Sequence, residues 1–299
     1  MKLVTFLHKS EIKIGAVIDE TVIDFSSTAL PKSMIEFIEL GSQGLDQAND
    51  YISKNENAIP INEILLQAPI SMPSKILAVG MNYKEHKKEI ENSNGAKVVD
   101  GKSQTKYPTI FNKQNSSVIG PYDEIHKPRA SETLDFEGEL GMIIGKKCRH
   151  VPYDKAQNVI YGYTVVNDVT IRDWQMHGPP ITMTMGKSWD THCPFGPYIV
   201  TNEEVGDPHN LKLETHVNKK LRQSANTSDL IFNCFKIIEY LSTAFSLFPG
   251  DLITTGTPAG AAFTDRNWLK VGDEIKIEIE KLGFIQNKVI IEPENTPIY

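Results

Sequence analysis

The chain of 299 residues has three cysteines, Cys148, Cys193 and Cys234, and no CxxC pair. An odd, widely spaced set excludes a disulfide framework and a cysteine zinc site, and it fits unpaired thiols in a reducing cytoplasm. A basic block is also missing, and with a net charge of -7 the chain is a poor candidate for a sequence-independent nucleic-acid surface. No apolar stretch approaches transmembrane length. In MKLVTFLHKSEIKIG the apolar run from Leu3 to Leu7 is interrupted by Thr5 and ended by His8 and Lys9, so it fails as a signal peptide. Together these absences predict a cytoplasmic protein with no membrane and no nucleic-acid partner. Internal repeats and low-complexity tracts are absent too, and 40% hydrophobic with 23% charged residues is an ordinary globular composition, which excludes dominant disorder.

What is present reads mainly as strands. The segments from Leu3 to Leu7, Ile12 to Ile18 and Thr21 to Phe25 are rich in β-branched and aromatic residues and are separated by the charged turns HKSE and DE. From Ser33 to Ile52, Met34, Ile35, Phe37, Ile38 and Leu45 fall at helical spacing, with Gly41 and Gly44 as candidate breaks. The polar connector KNENAIPINE and the Pro-containing APISMPSK follow. This composition shift predicts a boundary near residue 70, between a small N-terminal α+β domain (1–70) and a main domain (71–299). Downstream, GMIIGKK, YGYTVVNDVT, GPYIVTN, LKLETHVN, DLITTGT and DEIKIEIEKLGFIQNKVII suit strands, and the clearest helix runs from Asp229 to Phe245. The fold class is α+β, mainly β. The polar stretch from Glu89 to Lys106 has no periodicity and reads as either a surface loop or a lid.

The chemistry begins at LDFEGELGMIIGK, where Asp135, Glu137 and Glu139 alternate. On a strand they share one face, and like charges so placed repel unless water or a cation neutralises them. A solvated face and a metal site are both open on this stretch alone. Asp168 shifts the balance, because it follows the apolar run Thr164-Val165-Val166, where an unpartnered charge would be costly. Glu137, Glu139 and Asp168 supply three oxygen ligands, suiting Mg²⁺ or Mn²⁺ better than zinc. In GMNYKEHKKE, His86 and Glu89 stand three apart, on one face if helical; a carboxylate holding an imidazole fixes its tautomer for general-base work. Arg172 and Lys187 could meet an anionic substrate or pair with surface acids. TTGTPAG, Thr254 to Gly260, could bind a carboxylate through backbone amides, but it lacks the Gly-Lys-Ser/Thr ending of a P-loop. His192 and Cys193 are adjacent, which does not make them a catalytic pair; a buried Cys193 is expected.

Taken in order, KILAVGMNYKEHKKE, FNKQNSSVIGP, LDFEGELGMIIGK, GYTVVNDVTIRDWQ, GKSWDTHCPFGP and TTGTPAG resemble the fumarylacetoacetate hydrolase family. The resemblance covers about residues 75 to 260, and residues 1 to 70 look like the small N-terminal domain of the family's longer members. It implies a mixed β-sandwich roll, a homodimer, and Mg²⁺ or Mn²⁺ held by Glu137, Glu139 and Asp168. It further implies a catalytic His86–Glu89 dyad on a short helix opening a closing lid, with Lys187 in the catalytic machinery. Tyr83, Arg172, Gln175 and Thr257 match its substrate-contacting positions. Two departures stand out: Gln114-Asn115 where many relatives have prolines, and Gly138 between the glutamates where a larger residue is common; Gly138 is expected to matter little.

The function so implied is divalent-metal-dependent C–C bond hydrolysis of a 2,4-dioxo acid, acylpyruvate or fumarylacetoacetate-like, through a metal-stabilised enolate with the dyad activating water. The same site could serve an oxaloacetate decarboxylase or a 2-hydroxy-diene-dioate isomerase. A non-catalytic dicarboxylate-binding protein is the reading from another class, and the dyad counts against it.

Overall fold

Two runs of fully buried residues, Gly138–Ile144 and Ile160–Asn167, lie at the centre of a large sheet. The computed structural model describes residues 1–54, 58–92, 106–178 and 181–294. A strand covered on both faces needs an almost continuous apolar sequence, which GELGMII and IYGYTVVN provide. These two strands pair antiparallel, with Glu139 opposite Val166 and Gly138 opposite Asn167. To one side the sheet continues through Cys193–Thr201 into the N-terminal strands Lys2–His8, Glu11–Ile18 and Thr21–Asp24; to the other it continues through Leu252–Thr254, Ile76–Gly80 and Thr109–Lys113.

A second sheet of five strands contains Lys220–Asn226, Lys212–Val217, Glu274–Ile279, Gly283–Ile291 and Ile125–Lys127. Leu140, Met142 and Val165 of the first sheet share a core with Leu213, Ile275, Ile277 and Ile285 of the second. This is the predicted mixed β-sandwich architecture. Each such fully buried aliphatic side chain contributes about 1.5–3 kcal/mol relative to exposure. Residues 1–70 share sheet and core with the rest: Leu3 pairs with Ile199, and Phe25, Phe37 and Ile38 pack in one cluster with Ile143, Phe195 and Leu252.

The helices depart from the expected limits for local reasons. The Ser33 to Ile52 periodicity divides into Met34–Glu39 and Ser42–Lys54. The break falls at Gly41, whose φ of 57° is left-handed and ends the first helix, whereas Gly44 is helical. The helix expected from Asp229 begins at Cys234, because Asn233 caps it by accepting a hydrogen bond from Lys236 N at 2.9 Å. The strand expected through LDFEGEL is interrupted at Phe136-Glu137: Leu134–Asp135 pairs with Thr170–Ile171, and the long strand restarts at Gly138. Residues 93–105 of the lid expectation lie outside the described residues.

His192 and Cys193 are both fully buried, and all three cysteines are unpaired. His192 Nε2 donates to the His126 carbonyl at 2.9 Å, while Nδ1 has no partner. Burial therefore holds the imidazole neutral and pushes its pKa down to about 3. Between that value and the ordinary 6.5 the unfolded chain binds the extra proton, so stability falls as pH falls. Lowering pH from 7.5 to 5 should cost about 2 kcal/mol through this residue. Urea unfolding across that range is expected to show a shallower pH slope for His192→Gln than for the wild type; parallel slopes would remove His192 as the cause.

Candidate metal centre and dyad

The strand register assembles the acidic site. Glu139 lies opposite Val166, and just beyond the paired strand ends Glu137 and Asp168 are held together by backbone, with Asp168 N donating to the Glu137 carbonyl at 2.9 Å. Ligand oxygens of Glu137, Glu139 and Asp168 lie within 4.8 Å of one another, all buried.

Cations surround them. Lys187 Nζ, buried, donates to Glu137 Oε2, Asp168 Oδ2 and Thr170 Oγ1, each at 2.8 Å. Burial pulls the Lys187 pKa down, but the Asp168 and Glu137 charges outweigh it and the net shift is upward. Arg172 reaches Asp135 through Nε at 2.8 Å, Gln175 Oε1 through Nη1 at 3.0 Å, and Glu137 through Nη2. Burial pushes Glu137 up, while the Lys187 and Arg172 charges prevail and hold it well below the carboxylate range. Glu139 is shifted the other way: burial first, then the Asp168 and Glu137 charges, raise it well above its ordinary value. Asp135, whose pKa is raised by burial despite Arg172, holds Arg172 and accepts from Ala262 N at 2.7 Å. The three alternating acids thus divide their work: Asp135 anchors Arg172, and the other two join Asp168.

These residues fit a hard divalent cation. Asp168 Oδ1 is a buried oxygen without a hydrogen bond; Lys113 Nζ sits 2.7 Å away as an ion pair, but it directs its hydrogen bonds to the Lys187 and Val169 carbonyls. Among these side chains four carboxylates face three cations, leaving one buried negative charge that a divalent ion would offset. Oxygen-only ligands suit Mg²⁺ or Mn²⁺.

His86 and Glu89 lie on the helix Lys84–Asn92, with His86 Nδ1 3.2 Å from Glu89 Oε2. Burial would raise Glu89, but hydrogen bonds from His86 and Thr264, the His86 charge and Gly260 N lower it overall. An ionised carboxylate only accepts, so Nδ1 carries the proton and Nε2 is left with its lone pair free to accept. The TTGTPAG loop ties the dyad to the acids. Gly256 N donates to Glu139 Oε2 at 2.8 Å, while Gly260 N and Thr264 Oγ1 donate to Glu89 at 3.3 and 2.9 Å. The loop's amides do bind carboxylates, and these are the protein's own. Both glycines are left-handed, and a Cβ would strike Asn82 at position 256 and the Arg222 carbonyl at position 260.

Of the other expected residues, Tyr83 is buried with an unpartnered hydroxyl, its pKa raised by burial and by Glu139. Gln175 abuts Gly186, where a Cβ would meet Gln175 Cβ at 2.5 Å, so glycine lets the Met183–Lys187 helix approach closely. Thr257 Oγ1 donates to the Gly138 carbonyl at 3.0 Å. Lys113 was not expected; its signal is a lysine two residues after Phe111, on the same buried face of the strand TIFNK. Gly138, expected to matter little, is tightly enclosed: a Cβ would collide with Thr215 Oγ1 and lie 3.1 Å from Ile277.

The family model "Fumarylacetoacetate (FAA) hydrolase C-terminal" matches residues 75–290. The mitochondrial oxaloacetate tautomerase Fahd2a of Rattus norvegicus is 37% identical over 298 residues, covering 97% of this chain and 92% of that one. The maleylpyruvate hydrolase of Sphingobium sp. SYK-6, solved with manganese(II) and pyruvate, is 29% identical with a TM-score of 0.81, covering 98% of this chain and all of that one. A 2-hydroxyhepta-2,4-diene-1,7-dioate isomerase of Mycobacterium marinum is 30% identical with a TM-score of 0.76 over 98% of this chain and all of that one. The cytoplasmic expectation is overturned, since the rat relative and similar human and bovine ones are mitochondrial. Free thiols and acidic charge suit any reducing compartment and carry no address. Among the described residues no helix is long and apolar enough to cross a membrane. With a family match spanning most of the chain, a relative 37% identical over nearly its whole length and a hydrolase of the same fold solved with manganese(II), the protein is an enzyme of the fumarylacetoacetate hydrolase family.

Proposed function

We propose that the enzyme moves a proton at the carbon beside the oxo group of a 2-oxo dicarboxylic acid, with keto–enol interconversion of oxaloacetate as its reaction. One observation carries this reading: a single loop, through Gly256 and Gly260, fixes both Glu139 and Glu89 and so holds a general base beside the acidic trio. In this proposal Glu137, Glu139 and Asp168 hold the Mg²⁺ or Mn²⁺, which when bound supplies Lewis acidity that makes the neighbouring C–H acidic. From keto to enol, His86 Nε2 takes the C3 proton while Glu89 stabilises the imidazolium, the substrate oxygen takes a proton from water, and the imidazolium then gives its proton to solvent; from enol to keto the same steps run in reverse. Arg172 and Lys187 hold Glu137, and Tyr83, Gln175 and Thr257 line the substrate side. The name of the rat relative, similar over nearly the whole chain, supports oxaloacetate as substrate.

A second reading, hydrolysis of an acylpyruvate or fumarylacetoacetate-like 2,4-dioxo acid with His86 activating water, is supported by the similar fold of the maleylpyruvate hydrolase. Decarboxylation of oxaloacetate needs the same acids without that water. Stopped-flow decay of the oxaloacetate enol signal with Mg²⁺, Mn²⁺ or chelator decides among them. Chelator-sensitive acceleration with no pyruvate formed is expected; pyruvate from oxaloacetate would indicate decarboxylation, and turnover confined to acylpyruvates would indicate the hydrolase.

The division near residue 70 is proposed as the start of the family unit, supported by a family match that begins at residue 75, although residues 1–70 share sheet and core with it; the homodimer is proposed as well. Exposed Met176 and Met185, beside the edge-on Trp174–Trp189 pair, support a dimer surface next to Arg172 and Lys187, measurable by light scattering.

A further inference from the structure

We propose that Gln223 is a positioning residue for the divalent-cation site, acting through a clamp that sets the start of the Gly138–Ile144 strand, between Glu137 and Glu139, against the loop that holds Glu139 and Glu89. Gln223 lies on the strand Lys220–Asn226 of the second sheet and is fully buried. Its Oε1 accepts from Gly138 N at 3.0 Å. Its Nε2 donates to Thr257 Oγ1 at 2.8 Å and to the Pro258 carbonyl at 2.9 Å. Thr257 Oγ1 in turn donates to the Gly138 carbonyl at 3.0 Å. Both hydrogens and the oxygen of one carboxamide are therefore engaged, with no exposed surface left for water to replace them.

The directions of these bonds matter. An amide nitrogen only donates, so Thr257 accepts from Gln223, and its single hydroxyl proton is committed to Gly138. That threonine is a strut between loop and strand before it is anything else. Gly138 sits between the two glutamates, and its N–H and C=O are both held by the clamp. The loop side of the clamp, Thr257-Pro258, lies between Gly256, which donates to Glu139, and Gly260, which donates to Glu89. A one-carboxamide link thus couples the spacing of the acids to the placement of the dyad. Close packing keeps it in register: a Cβ at position 138 would lie 3.2 Å from Gln223 Oε1.

This inference rests on Glu137, Glu139 and Asp168 holding the cation, and its test reads metal rather than turnover. Mn²⁺ is titrated calorimetrically into the full-length wild type, Gln223→Leu, Gln223→Glu, Thr257→Val and the double variant Gln223→Leu/Thr257→Val. The glutamate variant keeps the shape and the acceptor toward Gly138 but loses both donors, so it reports even if the leucine variant misfolds. Loss of a partner bonded directly to a ligand weakens metal affinity by about 10- to 100-fold; Gln223 acts one contact further out, so a loss of about 10-fold is expected for both Gln223 variants. Because Gln223 and Thr257 act through one clamp, the double variant should lose no more than the worse single one. Unchanged Mn²⁺ affinity with a lowered melting temperature would make Gln223 merely structural, and additive losses would break the clamp into independent contacts; either overturns the proposal. Failure of the wild type to bind Mn²⁺ would instead overturn the cation site, a distinct result.

Discussion

Replacing Glu139 by glutamine should abolish divalent-cation binding and turnover while making the metal-free protein more stable. The two effects share one cause. Glu139 is buried beside Asp168 and Glu137, and those charges with burial push its pKa well above the ordinary value; its negative charge is therefore unfavourable in the metal-free fold and favourable only opposite a cation. Glutamine removes the repulsion. The affinity loss should exceed the roughly 100-fold typical of an outer-shell partner. Thermal melts with and without Mn²⁺ give both readouts, because a ligand that binds only the folded state raises the melting temperature in proportion to ln(1 + [L]/Kd). The wild type should show a large Mn²⁺-dependent rise and the variant none. A variant that still gains stability from Mn²⁺ would remove Glu139 from the ligand set.

Replacing His86 by alanine should separate chemistry from metal. The imidazole is buried on the helix Lys84–Asn92, with Glu89 on one nitrogen, and it makes none of the contacts that hold Asp168 or Glu139. A positioned general base is worth about 10²–10⁴-fold in rate, so turnover should fall by that factor while Mn²⁺ affinity changes little. Glu89→Gln should fall less, because Thr264 and Gly260 still position the side chain while the negative charge that stabilises the imidazolium is lost. Full activity in His86→Ala would exclude the dyad as the proton carrier. A parallel loss of Mn²⁺ affinity would show instead that His86 supports the fold of the site.

Much of the fold and the site is legible in the sequence wherever a local rule has a local cause. Buried strands announce themselves as apolar runs, and GELGMII and IYGYTVVN are such runs. Gly41 breaks its helix because a left-handed residue ends a helix in any context. Three carboxylates that no apolar environment would tolerate alone point to a cation by charge arithmetic. Less is legible wherever a contact joins distant positions. The helix from Asp229 starts late because Asn233 offers a cap, a competition that a periodic stripe does not register.

The sequence by itself determined that Asp135, Glu137 and Glu139 must be neutralised by water or a cation and that Asp168, after an apolar run, needs a partner, since these follow from residue type and nearest neighbours. Only the tertiary structure decided which partner each receives. Register sets Glu139 opposite Val166 and so brings Asp168 across to Glu137. Arg172 draws Asp135 away from the trio. Lys113 meets Asp168 from a strand 55 residues earlier, and Gln223 reaches Gly138 across 85 positions. Such pairings depend on which strands lie side by side, and that is settled by the summed packing of two sheets rather than by any short stretch.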